Sequence, residues 1–142
     1  MPDEPYAIPF GDANLTLEGD DATIVAIGLM VGFANLVADE LAGEGVGCTV
    51  LDPRTASPLD SETILECVAE TGRLVVVDES SPRCNMAADI AALVAEQAFS
   101  DLKAPIKRVC PPHTPVPFSP ELEDAYIPTP EHITAAVRAV MA

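Results

Sequence analysis

Arg54 is the side chain best placed for ligand chemistry. It stands in Asp52-Pro-Arg-Thr-Ala-Ser-Pro-Leu-Asp60, directly after the apolar run Gly47-Cys-Thr-Val-Leu51. An arginine at the C-terminal end of a strand can grip a carboxylate or phosphate through two parallel N–H bonds. It can equally pin its own loop by donating to carbonyls, and its type and position leave both readings open. Asp78-Glu79 also ends a strand, Arg73-Leu-Val-Val-Val-Asp78. Paired carboxylates there could do acid–base work, or cap the helix that follows Arg83-Cys-Asn85. The only histidines, His113 and His132, have no Cys, Asp or Glu neighbour at metal-ligand spacing, so exposed or capping roles are expected. No serine sits in a nucleophile elbow.

The glycines point away from nucleotide binding. Gly43-Glu-Gly-Val-Gly47 lies between a helix and a strand. A dinucleotide fingerprint needs the reverse order, so that amides at a helix start meet the phosphate. A helix-ending turn is the expectation. Gly28 follows a strand and precedes a helix, with Gly32 beyond, and reads as a tightly packed βα turn. Gly11-Asp-Ala-Asn14 matches only the start of a magnesium–diphosphate motif, lacking its second glycine and its asparagines.

The positioning elements alternate. A short edge strand is possible over Ala13–Glu18. Strand Thr23–Ile27 precedes a helix, Leu29–Gly43, with Phe33, Leu36, Val37 and Leu41 at helical spacing. Next come strand Gly47–Leu51 and helix Ser61–Thr71, with Asp60 as N-cap and Gly72 as C-terminal stop. Strand Arg73–Asp78, helix Met86–Phe99 and strand Ile106–Cys110 follow. A proline-rich loop, Pro111–Pro120, leads on to helix Pro130–Met141, capped by Thr129. Strands alternating with helices imply crossover connections and an α/β fold whose parallel sheet is covered on both faces. The early strand falls outside the alternation and is free to run antiparallel at one edge.

Composition bounds the function. The 142 residues suit one domain. With no Trp and 4% aromatics, the core must be built from Ala, Val, Ile and Leu. The net charge of −16 argues against nucleic acid, which needs a basic patch, and allows attraction to a basic protein. No apolar run approaches the roughly 20 residues that span a bilayer, so no membrane partner is expected. Cys48, Cys67, Cys84 and Cys110 read as reduced, mostly buried thiols of a cytoplasmic protein.

Leu51-Asp-Pro-Arg-Thr-Ala-Ser-Pro-Leu-Asp60 also resembles the "D-L-R-T-L-S-P-L-D" stretch of the beta subunits of 2-oxo acid dehydrogenase E1 components. Thr71-Gly-Arg-Leu-Val-Val-Val-Asp-Glu79, Ala104-Pro-Ile-Lys-Arg-Val109, Pro115-Val-Pro-Phe-Ser119 and Leu122-Glu-Asp-Ala-Tyr-Ile-Pro128 look like further family segments in the right order. Glu4-Pro-Tyr-Ala-Ile-Pro-Phe-Gly11 looks like the linker leading into the family's C-terminal domain. Pro82-Arg-Cys84 and Met86-Ala87, flanking Asn85, resemble the acetoin dehydrogenase branch.

The resemblance implies a transketolase C-terminal-like fold. That is a three-layer α/β/α arrangement with a five-stranded, mostly parallel sheet and one antiparallel edge strand. Residues 1–21 would be a linker and 22–142 the domain. It implies an enzyme that uses thiamine diphosphate and magnesium to pass an acyl group to lipoamide. The preceding pyrimidine-binding domain would lie outside this chain, which is then not catalytically complete and holds no catalytic, cofactor-binding or metal-binding residue. The implied partners are an E1 alpha subunit, a second beta subunit in a homodimeric contact, and the dihydrolipoyl acyltransferase component. Docking of the last is implied near Asp101, Lys103 and Ala142. Lys103 departs from the acid that members commonly carry there. The competing reading is a free-standing small-ligand-binding α/β module built on Gly28, Arg54 and Asp78 at one sheet edge.

Overall fold

A computed structural model describes residues 6–142; the Met1–Pro5 part of the linker lies outside the described residues. Five strands form one sheet: Asn14–Leu17 (β1), Ala22–Ala26 (β2), Cys48–Asp52 (β3), Leu74–Val77 (β4) and Lys107–Val109 (β5). The helices are Met30–Gly43 (α1), Ser61–Thr71 (α2), Met86–Gln97 (α3), Pro120–Tyr126 (α4) and Pro130–Met141 (α5). The strand order is β1-β3-β2-β4-β5. β2 pairs in parallel with both β3 and β4, and β4 with β5. β1 runs antiparallel to β3 at one edge.

Side chains alternate across a strand, and here the alternation sorts one sheet into two cores. Ala22, Ile24 and Ala26 of β2 and Val75 and Val77 of β4 face Met30, Ala34, Val37, Leu41, Ile133 and Val137 of α1 and α5. Val25, Leu74 and Val76 face Ile64, Val68, Ile90 and Val94 of α2 and α3. Every residue of β2 and β4 is buried. This is why those strands read as continuous apolar runs. Burying each large aliphatic side chain is worth about 1.5–3 kcal/mol, so the central strands carry much of the stability.

Boundaries differ from the sequence reading in physically simple ways. β5 is an edge strand with only three ladder positions, Val75↔Lys107, Val76↔Arg108 and Val77↔Val109, so Ile106 and Cys110 fall outside it. α3 stops at Gln97 and a 3₁₀ turn covers Phe99–Asp101. α4 was not anticipated: it buries only Tyr126 and so leaves little apolar periodicity to read. β1, within the 1–21 segment, is hydrogen-bonded into the sheet. Among the described residues no helix is long and apolar enough to cross a membrane.

Two close approaches fix the ends of the central strands. A Cβ on Gly19 would lie 2.5 Å from the backbone nitrogen of Cys48, so the β1–β2 turn rests directly on the start of β3. Gly72 ends α2 in the left-handed region at φ 75°, which a residue without a side chain adopts freely.

Candidate functional site

The segment from Leu51 to Asp60 is stitched to the linker by backbone and small polar groups. Thr55 Oγ1 accepts the Gly11 N–H at 3.0 Å and donates to the Pro58 carbonyl at 2.8 Å. Asp60 accepts from the Ala13 N–H at 2.9 Å, and from the Thr63 N–H and hydroxyl at 3.2 and 2.8 Å. The N-cap expected at Asp60 is therefore present, and it also anchors the linker. The Ala13 N–H first, then Thr63, hold the Asp60 carboxyl below the usual carboxylate range.

Arg54 adopts φ 55°, a region uncommon outside glycine, and its N–H donates to Asp52 Oδ1 at 2.9 Å. The guanidinium makes no hydrogen bond or ion pair among the described residues. It lines a groove of about 510 Å³ with Ile8, Phe10, Gly28, Val31 and Asp52. Loop pinning, one of its two readings, is thus performed by Asp52, Thr55 and Asp60 rather than by the arginine side chain.

Asp78 is occupied. It is buried, its Oδ1 accepts the Ser80 N–H at 2.9 Å, and its Oδ2 accepts the Ala87 N–H at 3.4 Å in the first turn of α3. Asn85 completes the cap by accepting from the Ala88 N–H at 2.9 Å. Glu79 is exposed. The capping reading describes this acidic pair better than acid–base catalysis. Ser81 Oγ and His113 Nδ1 meet at 2.9 Å on the surface. No carboxylate orients the other ring nitrogen among the described residues, so the pair joins two loops without the third member of a catalytic triad. Thirty-two residues separate them, and the sequence carried no sign of the contact. His132 closes a capping box with Thr129, as its position suggested. Val46 N–H donates to the Leu41 carbonyl at 3.0 Å, closing α1 in the glycine turn expected there.

Near the proposed docking residues, Lys103 Nζ donates to the Thr71 carbonyl at 3.1 Å, and Lys103 N–H to the Gly72 carbonyl at 2.7 Å. The next residue along, Arg73, donates from Nε to the Val140 carbonyl at 3.0 Å and from a terminal nitrogen to the Asp21 carbonyl at 3.2 Å. This seam ties Lys103 through the end of α2 to the end of α5. Asp101 and Ala142 are both exposed. Beside Lys103 lies an apolar groove of about 470 Å³ lined by Ala95, Phe99, Leu102, Ala104, Pro105 and Ile106.

The cysteines divide. Cys48 and Cys67 are buried, and burial, the largest cause, pushes both thiols up to about 11. Cys110 is half-buried and raised chiefly by burial. Cys84 alone of the four is exposed.

The two-faced sheet with one antiparallel edge, and polar loops gathered at strand ends, define a three-layer α/β/α domain. Residues 11–133 match the transketolase C-terminal domain, and the chain belongs to that family. It is 60% identical over 141 residues to the acetoin:2,6-dichlorophenolindophenol oxidoreductase subunit beta of Cupriavidus necator, covering 99% of this chain and 42% of that one. It is 50% identical over 135 residues to the subunit of the same name in Bacillus subtilis, covering 95% and 40%. A split-gene transketolase, described as an inactive beta4 tetramer, superposes with a TM-score of 0.82 at 27% identity, covering 96% of this chain and 43% of that one. The chain therefore spans less than half the length of these relatives.

Proposed function

We propose that the chain is the C-terminal domain of the beta subunit of an acetoin-type, thiamine-diphosphate-dependent dehydrogenase, and that its work there is assembly and docking. The 60% identity to an acetoin oxidoreductase beta subunit across 99% of the chain carries this reading. The complete enzyme passes an acyl group to lipoamide, and its partners are an alpha subunit, a second beta subunit and the dihydrolipoyl acyltransferase, in the cytoplasm.

Magnesium and diphosphate do not fit the described residues. Among the described residues no three His, Cys, Asp or Glu side chains gather to hold a metal. Gly11, at the start of the partial motif, spends its N–H on Thr55. The cofactor belongs to the remainder of the enzyme. A small-ligand module built on Gly28, Arg54 and Asp78 is disfavoured, because both Asp78 carboxylate oxygens serve the following loop and helix. Anion binding is the reading kept for Arg54, which lines the groove beside Ile8 and Phe10.

Docking is assigned to the surface around Asp101, Lys103 and Ala142. The apolar groove beside Lys103 supplies area, and the chain's charge of −16 steers a basic partner. Isothermal titration of this chain with thiamine diphosphate and magnesium should give no binding heat. Micromolar affinity would contradict the division of labour proposed.

A further inference from the structure

Beside β5 lies a cavity of about 400 Å³ whose lining differs in charge from the rest of the molecule. Its walls come from Lys107–Pro112, from Ala125, Tyr126 and Pro128 at the end of α4, and from His132 and Ala136 on α5. The chain carries 23 Asp and Glu against 7 Lys and Arg, yet no carboxylate lines this cavity, while Lys107, Arg108 and His132 all do. Two acids adjoin lining residues in sequence: Asp124 precedes Ala125, and Glu131, beside His132, lines a different groove with Leu36, Glu40 and Arg138. Thr129 first, then its own backbone N–H and the charge of His132, hold the Glu131 carboxyl below the usual range.

The cationic groups are differently committed. Arg108 donates from one terminal nitrogen to the Pro82 carbonyl at 3.0 Å, which leaves its other donors at the rim. Lys107 is exposed and makes no hydrogen bond or ion pair among the described residues. His132 Nδ1 accepts the Thr129 N–H at 3.1 Å, so the neutral ring must carry its proton on Nε2 and present a donor there. Cations on an edge strand also discourage strand addition between molecules. That role needs neither a cavity nor a histidine contributed by another element.

We propose that this cavity binds a small organic anion, a carboxylate or phosphate ester. Lys107 and His132 Nε2–H hold its charged head, and Tyr126 with Pro111 and Pro128 forms the apolar wall for its body. Cationic donors that share one cavity with no carboxylate among its walls favour such a head, and a volume of about 400 Å³ falls in the range of small-ligand pockets. The inference stands apart from the assembly role proposed above.

Ring signals of the two histidines in nuclear magnetic resonance test it directly. The chain is titrated at fixed pH with inorganic phosphate, phenyl phosphate and benzoate, with sodium chloride holding the ionic strength constant. His132 should shift saturably with at least one probe while His113, outside the cavity, stays still. Benzoate and phosphate identify the preferred head, and phenyl phosphate against phosphate reports the apolar wall. Lys107→Glu, at an exposed position, should weaken binding by roughly tenfold or more, the scale of reversing a charge at close range, and Lys107→Arg should restore it. Three results would each overturn the proposal: no shift with any probe, equal movement of both histidines, or unchanged affinity in a folded Lys107→Glu variant.

Discussion

The methylene stem of Lys103 lies on the α-carbon of Gly72: a Cβ there would sit 2.6 Å from Lys103 Cδ and 2.7 Å from Cε. With the stem so seated, the ammonium reaches the Thr71 carbonyl and meets the negative end of the α2 dipole. A lysine that stands out of the family pattern in sequence thus has an internal employment. Gly72→Ala would collide with that stem and strain the left-handed φ. It should lower unfolding stability by about 1–2 kcal/mol, read as a lower denaturation midpoint at unchanged slope.

Lys103→Glu separates the internal role from docking. Reversing the charge removes the bond to Thr71 and sets an acid at a helix C-terminus, at a cost of about 0.5–1 kcal/mol. Binding of a basic acyltransferase domain should nevertheless tighten, by about 1 kcal/mol at low salt, and the gain should shrink as salt is added. Calorimetric titration at two salt concentrations checks it. Weaker binding by the variant would move the docking surface elsewhere.

Asp60 links the linker to the family-signature segment, and its removal should be felt by both. Asp60→Ala should cost about 1–2 kcal/mol, at the upper end for an N-cap because the Ala13 bond is lost too. Its carboxyl titrates below the ordinary value in the folded chain. The stabilisation is therefore complete above the unfolded value of about 3.9, and is lost as pH falls through the lower folded value. The gap in melting temperature between wild type and variant should close only in that acidic window.

Thiol reactivity should follow burial. At about pH 8 a thiolate-specific reagent should modify exposed Cys84 first, since access and thiolate fraction set the rate. Cys48 and Cys67, buried and pushed up to about 11, should react only on unfolding. Mass spectrometry of partially labelled chain checks the order, and Cys84→Ser should abolish the fast phase.

The layered core was readable because its physics is local and periodic. Ile24 and Val75 sit in uninterrupted apolar runs since both faces of β2 and β4 are covered. Asp60 and Gly72 announced the two ends of α2 because caps are chosen by residue type. What escaped the sequence depends on partners far along the chain. Lys103 rests on a glycine thirty-one positions earlier, and Ser81 meets His113 across two loops. The left-handed conformation of Arg54 follows from Asp52 and the surrounding loop bonds, none of which residue spacing reveals. The acid-free lining beside β5 needed β5, α4 and α5 brought together in space.

On the proposed function, this chain does the work of a beta subunit's C-terminal domain. The most direct measurement exchanges it for the matching stretch of the Cupriavidus necator acetoin:2,6-dichlorophenolindophenol oxidoreductase beta subunit. The hybrid is produced with the rest of that enzyme, and acetoin-dependent reduction of the dye is followed. The hybrid should assemble and retain activity within roughly tenfold of the parent, a loss of no more than about 1.4 kcal/mol at the transition state. A soluble, folded hybrid that fails to assemble, or that assembles without reducing the dye, would contradict the assignment.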